Sequence, residues 1–416
     1  MKKTMARDRF AAEIVRRLRT AGEKADLTVD RSAFCVVRDG QPCLYLHNAY
    51  DEYRAAPRHM REPTIRQWTR AWFACQEKPP ETYEKTRCDL LPIVRSRAAF
   101  EYGREQDAYR LLGEHHAIGL VRNRPLTMMH LKAEILAKWG VTLEEALAIA
   151  VENLRAVSFP PRFVPHGKGL FSSDYGDHYD ASRILLPELF TALGLRGDPV
   201  VIAPNEYGPL LLAGADDEEG LVAMANLAFD RLQGPRFLSG IPLRFDGTNW
   251  EAYCPPPEHP AFVPFRNLWC MSMSRGYARQ KEALDERHRR EGQVVLVADY
   301  MAIPLPERCE ITSGCVWPEG ATTLLPRSDT IGLLPCGVVE ALSMGAPIAE
   351  DAGIVAPWEL VEEFMGDMLV PIAMYPHRYR VDRFPTCDQI EALKRSLDAR
   401  SCPNDVRAGS DARKPR

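Results

Sequence analysis

The chain has 416 residues, of which 45% are hydrophobic and 26% charged, and its formal net charge is −4. Globular proteins have this composition, which supplies a large core and argues against a disordered chain. Lys and Arg (53) nearly balance Asp and Glu (57), so we do not expect the basic stripe that binds nucleic acid or an anionic membrane.

The eleven cysteines are scattered and never spaced Cys-x-x-Cys. This pattern argues against a disulfide scaffold and against a structural zinc site, and it predicts reduced thiols.

No apolar stretch follows the charged residues 1–9, so no signal peptide is predicted. The longest apolar stretch, 331–349, contains Glu340 and two prolines, which disfavour a membrane-spanning helix. We therefore predict a soluble, cytoplasmic protein without a metal or another cofactor.

Residues 1–80 are predicted to form a small α+β unit. Apolar residues at helical spacing predict a helix over 9–20. Asp39-Gly40 predicts a hairpin turn between strands at 33–38 and 42–47. A second helix is predicted to begin at Thr64, as its N-cap, and to end at Cys75.

Residues 86–254 are predicted to form a second α+β domain. Thr142 and Glu145 have the spacing of a capping box, which predicts a helix from 142 to 157. Asp180 is predicted to be the N-cap of a helix over 181–193. Further elements are expected as strands at 90–95, 118–121, 126–130, 200–203 and 210–213, a helix over 217–232, and a strand pair around Asp246-Gly247.

The three successive prolines in residues 255–260 predict a stiff linker, because proline continues neither a helix nor a central strand. A C-terminal α+β domain is predicted over 261–399, with a highly charged helix over 272–291, and the polar tail 400–416 is predicted to be disordered. The fold class that follows is α+β, with mainly antiparallel sheets, helices packed on one face, and two or three domains.

Several motifs between residues 90 and 253 occur in an order typical of one family. The most specific is Asp177-His178-Tyr179-Asp180-Ala181-Ser182-Arg183-Ile184-Leu185, and weaker pieces are Leu91-Pro92-Ile93-Val94-Arg95, Asn153-Leu154 and Val201-Ile202-Ala203-Pro204 with Leu210-Leu211-Leu212-Ala213. Together they resemble the YtpQ-like bacterial family, domain of unknown function 1444, over roughly the first 254 residues. The resemblance implies a bacterial cytoplasmic protein and no particular reaction.

One position departs from that family. His178 stands where its members usually have glycine, and histidine would not meet the requirement if that position needs a positive φ or a close backbone approach. Histidine tolerates a positive φ better than branched residues do.

The best candidate site is the polar segment at 172–183, which concentrates carboxylates, an imidazole and phenols ahead of a predicted helix. Such groups can hold a divalent cation, transfer protons, or bind an anion at the helix start. They can equally serve as a cap and as partners for loop amides. The predicted ligand-binding residues are Asp177, His178, Tyr179, Asp180, Ser182, Arg183 and Arg95.

A partial positive charge of about half a unit at one helix start cannot stabilise three neighbouring carboxylates. We therefore predict that Asp177 or Asp180 pairs with Arg95 or Arg183.

Two other motifs carry weaker signals. Glu114-His115-His116 lacks the spacing of a metal site and is expected to be a solvated turn. Residues 341–345 resemble a nucleophile elbow, but Pro347 interrupts the helix that an elbow requires.

The leading interpretation is a non-catalytic module that binds a protein or a small ligand, with no nucleic-acid or membrane partner. The alternative is a hydrolytic or metal-assisted enzyme that uses residues 174–183. An enzyme should gather Asp174, Asp177, His178 and Asp180 in one cleft. A binding module should use them as caps and loop partners.

Overall fold

A computed structural model of the protein describes residues 5–75, 82–103, 107–124, 128–234, 236–338 and 353–401. Over these residues the chain is an α+β protein with open, mostly antiparallel sheets, which confirms the predicted fold class. It divides into two compact units, Met1–Ser272 and Met273–Arg416. No helix in the described ranges is both long and apolar enough to cross a membrane.

The first unit begins with a small sheet and three helices. The elements are α1 (Arg7–Thr20), β1 (Leu27–Asp30), β2 (Cys35–Arg38), β3 (Gln41–Tyr45), α2 (His47–Ala55) and α3 (Arg61–Cys75). The predicted turn joins β2 to β3, with positive φ at both Asp39 and Gly40, as a two-residue hairpin turn requires. Helix α2 was not predicted. The prediction of Thr64 as an N-cap is wrong, because Thr64 lies inside α3, where its hydroxyl donates to the Met60 carbonyl.

A second, antiparallel sheet of this unit is centred on one buried strand. Its elements are β4 (Leu90–Ser96), α4 (Arg97–Glu101), β5 (Tyr109–Leu112), β6 (His116–Asn123), β7 (Met128–His130), α5 (Ala133–Trp139) and α6 (Leu143–Ser158). Strand β4 pairs with one side of β6, and β5 and β7 pair with the other. The predicted capping box is confirmed at the start of α6, where Thr142 and Glu145 each bond the other's backbone amide.

The third sheet of the unit has six antiparallel strands in the order β13-β12-β10-β11-β9-β8. Its elements are β8 (Phe163–Pro165), β9 (Phe171–Ser173), β10 (Pro199–Ile202), β11 (Leu211–Gly214), α7 (Glu218–Leu232), β12 (Leu243–Phe245) and β13 (Trp250–Ala252). Strands β10 and β11, both expected from the sequence, form a hairpin, and Asp217 caps α7 through the amide of Gly220.

The candidate segment lies between β9 and β10. It contains two 3-10 helices, Asp180–Leu185 and Pro187–Leu193, instead of the single helix predicted over 181–193. Proline at 187 lacks the amide proton that a continuous helix would need, which explains the break. Ala181 and Ile184 are buried in the core shared with β4 and β6, so this segment is fixed against the sheet.

The second unit contains two four-stranded sheets, β14-β17-β21-β20 and β15-β16-β18-β19. The strands are β14 (Leu296–Val297), β15 (Met301–Leu305), β16 (Glu310–Pro318), β17 (Thr323–Pro326), β18 (Thr330–Leu334), β19 (Ile354–Pro357), β20 (Val370–Ile372) and β21 (Arg378–Val381), and the helices that follow are α9 (Trp358–Met365) and α10 (Cys387–Ser401). The core of this unit includes the fully buried side chains of Trp317 and Trp358.

The helix α8 (Phe262–Glu291) begins ten residues before the predicted start at 272. The predicted linker, residues 255–260, precedes α8, whereas the two compact units divide within that helix, after Ser272. The predicted tail overlaps the end of α10, which reaches Ser401. The rest of the tail, 402–416, and the elbow-like motif at 341–345 lie outside the described residues.

Candidate functional site

The carboxylate of Asp180 ties the candidate segment to strand β9. Its Oδ1 accepts hydrogen bonds from the Ser173 hydroxyl at 2.6 Å and from the Tyr175 amide at 3.3 Å. The predicted role of Asp180 as an N-cap is wrong. Tyr179 occupies the N-cap position, without a capping side-chain bond, because the Asp180 side chain is buried and directed to β9 instead.

Asp177 pairs with Arg183, which confirms the predicted ion pair. Two parallel hydrogen bonds join them, from Nη1 to Oδ1 at 2.9 Å and from Nη2 to Oδ2 at 2.7 Å. The Arg183 side chain is fully buried, and its guanidinium carbon lies 3.4 Å from the ring centre of Tyr175. Burial raises the pKa of Asp177, but the hydrogen bonds from Arg183 and from the Tyr179 amide outweigh it, and the pKa falls below its ordinary value.

Tyr179 and Ser182 are buried and belong to the fold of the loop. The Tyr179 hydroxyl donates to Asn123 Oδ1 at 2.9 Å, and burial raises its pKa, so the phenol is neutral at physiological pH. Ser182 is 1% exposed. Neither side chain is accessible to a ligand from solvent.

His178 is the exposed residue of the predicted set. Its φ is +70°, which is the left-handed backbone region that histidine tolerates better than branched residues do. Its ring centre lies 4.7 Å from that of Tyr207, in the loop between β10 and β11. The left-handed backbone at His178 therefore places its imidazole against the phenol ring of Tyr207.

Arg95, the remaining predicted residue, reaches the same loop from the end of β4. Its Nη1 donates to the carbonyl of Val94 at 2.8 Å, and its Nε lies 3.5 Å from Glu206 Oε1. The guanidinium carbon is 5.8 Å from the ring centre of Tyr207. The structure thus brings His178 and Arg95 to one aromatic residue.

A second arginine, Arg236, was not anticipated. Its Nε donates to Glu52 Oε1 at 2.7 Å, its Nη1 lies 3.7 Å from Glu206 Oε2, and its guanidinium carbon is 4.6 Å from the Tyr207 ring centre. Its φ is +63°. The sequence does not signal this contact, because Glu52 and Arg236 are far apart along the chain. We call Arg95, His178, Glu206, Tyr207 and Arg236 the Tyr207 cluster.

The acidic residues of the segment do not converge on one open point. Asp177 and Asp180 bond within their own loop and to β9, and Asp174 is exposed. Over the described part of the chain, no group of three His, Cys, Asp or Glu residues is arranged to hold a metal ion. The geometry offers hydrogen bonding and aromatic contact at the Tyr207 cluster.

The expectation of a solvated turn at Glu114-His115-His116 is right for the turn and for Glu114 but wrong for the two histidines. Residues 113–115 form a turn and Glu114 is exposed, whereas His115 and His116 are 6% and 2% exposed, and β6 begins at His116. Burial, with a smaller contribution from the charge of His115, lowers the pKa of His116 to about 3. His116 is buried together with most of β6, and His115, just before that strand, packs edge-on against Trp269 with 4.9 Å between the ring centres.

One pair of catalytic residue types was also missed. His166 Nε2 lies 2.8 Å from the Ser172 hydroxyl across the β8–β9 hairpin. Ser172 is only 5% exposed, so a substrate carbonyl has no path to its oxygen. We interpret the pair as a hairpin contact.

Comparison of the chain with protein-family models, with curated proteins and with solved structures gives no match. The resemblance to the YtpQ-like family is not tested by this result and stays a prediction.

Proposed function

We propose that this protein is a non-catalytic binding protein and that its ligand contacts the Tyr207 cluster. The observation that carries the proposal is the pair of left-handed residues His178 and Arg236, at φ +70° and +63°. Both side chains pack on the Tyr207 ring. Such strained non-glycine residues cost about 1–3 kcal/mol each and gather at functional sites.

The partners of the acidic residues argue against the enzymatic alternative. A hydrolytic or metal-assisted site needs carboxylates and an imidazole that converge in one open cleft. Asp180 is 3% exposed, and Asp177 is held by Arg183. Their use as loop partners is the arrangement expected of a binding module.

We further propose that the chain belongs to the YtpQ-like bacterial family and acts in the cytoplasm. The ordered motifs between residues 90 and 253 support the family assignment, and so does the positive φ of His178 at the position of the family's glycine. The scattered cysteines support a reducing compartment.

A thermal-shift screen of the purified full chain tests the binding function. Common metabolites and divalent cations are added one at a time, because a ligand that binds only the folded state raises the melting temperature. The same ligands are then tested on the variants H178G and Y207L. H178G is chosen because glycine accepts the positive φ without strain.

We expect at least one ligand to raise the melting temperature of the unmodified protein and to lose its effect in both variants. D174N is the matched control, since Asp174 is exposed in the same loop, and should behave like the unmodified protein. Chemical conversion of a bound ligand, or a response that both variants retain, would contradict the proposal.

A further inference from the structure

We propose that the Tyr207 cluster recognises an anionic group, a carboxylate or a phosphate, which takes the position of the Glu206 carboxylate between Arg95 and Arg236. This inference rests on the proposed function, since it assigns a ligand class to the same cluster. Glu206 would then be an internal competitor that holds the site in the absence of ligand.

The distances around Glu206 are the first support. Its two oxygens lie 3.5 Å from Arg95 Nε and 3.7 Å from Arg236 Nη1. Charge-assisted N–H···O bonds are shorter, about 2.7–2.9 Å. The carboxylate therefore lies in the field of two guanidinium groups without a close bond to either, and a better-placed anion would interact more strongly.

Both guanidinium groups are held in position by other bonds. Arg95 donates to the Val94 carbonyl, and Arg236 donates to Glu52, whose other oxygen accepts from Trp68 Nε1 at 2.7 Å. Their side chains are 8% and 15% exposed. Donors that are already ordered lose little freedom on binding, which favours affinity.

Glu206 can leave this position without unfolding the loop. Its backbone amide donates to the Arg236 carbonyl at 2.7 Å, so the main chain is anchored while the side chain keeps its rotatable bonds. The side chain is 17% exposed and has access to water. A ligand would therefore displace the Glu206 side chain without moving its main chain.

The aromatic residues suggest a planar group next to the anion. The exposed His178 ring lies 4.7 Å from the Tyr207 ring, whose centre is 5.8 Å and 4.6 Å from the guanidinium carbons of Arg95 and Arg236. Imidazole, phenol and guanidinium all contact flat groups favourably. Benzoate and phenyl phosphate combine a flat ring with the two anions and are suitable probes, with inorganic phosphate as the probe without a ring.

Calorimetric titration of the full chain with these three probes, at constant ionic strength and pH 7.5, tests the inference. We expect E206Q to bind at least one probe about tenfold more tightly than the unmodified protein, because the competing charge is removed. E251Q, which neutralises an exposed glutamate on β13, should leave the affinity unchanged. Adding R95Q to E206Q should abolish the gain.

The benzoate and phenyl phosphate titrations distinguish a carboxylate from a phosphate ligand. Equal affinities in the unmodified protein, E206Q and E251Q would overturn the inference, and so would a gain that survives R95Q. Because the expected result is a gain of binding, a poorly folded variant cannot imitate it. A neutral ligand that loses its effect in H178G and Y207L, with no anion bound, would preserve the proposed function and refute the anion site.

Discussion

Replacing Asp177 by alanine should destabilise the protein by about 3 kcal/mol, because it leaves the Arg183 guanidinium buried without its counter-ion. Removing one partner of a buried ion pair costs about 3–5 kcal/mol. The Arg183 side chain is fully buried, but that of Asp177 is 36% exposed, so water already solvates part of the pair and the lower end applies. D177N keeps one acceptor oxygen and should cost about 1–2 kcal/mol.

Urea denaturation at neutral pH measures this cost as a shift of the midpoint at an unchanged m-value. D174A removes an exposed carboxylate from the same loop and should stay within about 0.5 kcal/mol of the unmodified protein. The double variant D177A/R183M should be more stable than D177A, because it no longer buries an unpaired charge. A D177A midpoint equal to that of D174A would refute the reasoning.

The same pair predicts a pH dependence. The folded-state pKa of Asp177 lies below its ordinary value of 3.8, so the unfolded chain takes up the proton first as the pH falls. The stabilisation is therefore complete above the unfolded pKa and is lost as the pH falls through the lower, folded pKa. The stability difference between the unmodified protein and D177N should be constant at neutral pH and should shrink below pH 3.8.

Three further predictions concern stability and use the same denaturation assay. Burial lowers the pKa of His116 from 6.5 to about 3, so between these two values the unfolded chain is protonated at His116 while the folded chain is not. The free energy of unfolding should therefore fall as the pH drops below 6.5. H116L should flatten this dependence, and an unchanged slope would exclude His116 as its source. T142A should cost about 1 kcal/mol through loss of the capping box, and no cost would mean that the cap is not formed in solution. G169A should cost more than G167A, since a Cβ at Gly169 would lie 1.8 Å from Asp217 whereas none of the described atoms is within 4 Å of one at Gly167. Equal midpoints would contradict that contact.

Local signals predicted the elements that depend on a few neighbouring residues. The capping box at Thr142 satisfies amides within one turn, and the turn at Asp39-Gly40 needs only residues that accept a positive φ. Both are therefore readable from short stretches of sequence.

Predictions that depended on distant partners failed. Asp180 has the residue type and spacing of an N-cap, but the Ser173 hydroxyl and the Tyr175 amide compete for its carboxylate and bind it to β9. The turn expected at 114–116 forms before β6, but its two histidines are buried instead of solvated, because β6 pairs on both sides. In each case a tertiary contact outweighed a local preference.

The sequence by itself determined the fold class and the strands and helices with clear local signals, because composition, periodicity and short spacings carry that information. It also limited the ion pair to Asp177 or Asp180 with Arg95 or Arg183, and the structure selected Asp177 and Arg183. Only the tertiary structure decided which polar residues meet in space. It assigned the acidic residues to the loop and grouped Arg95, His178 and Arg236 around Tyr207. The physical reason is that these side chains come from separate elements, and the packing of those elements, rather than any local pattern, fixes their distances.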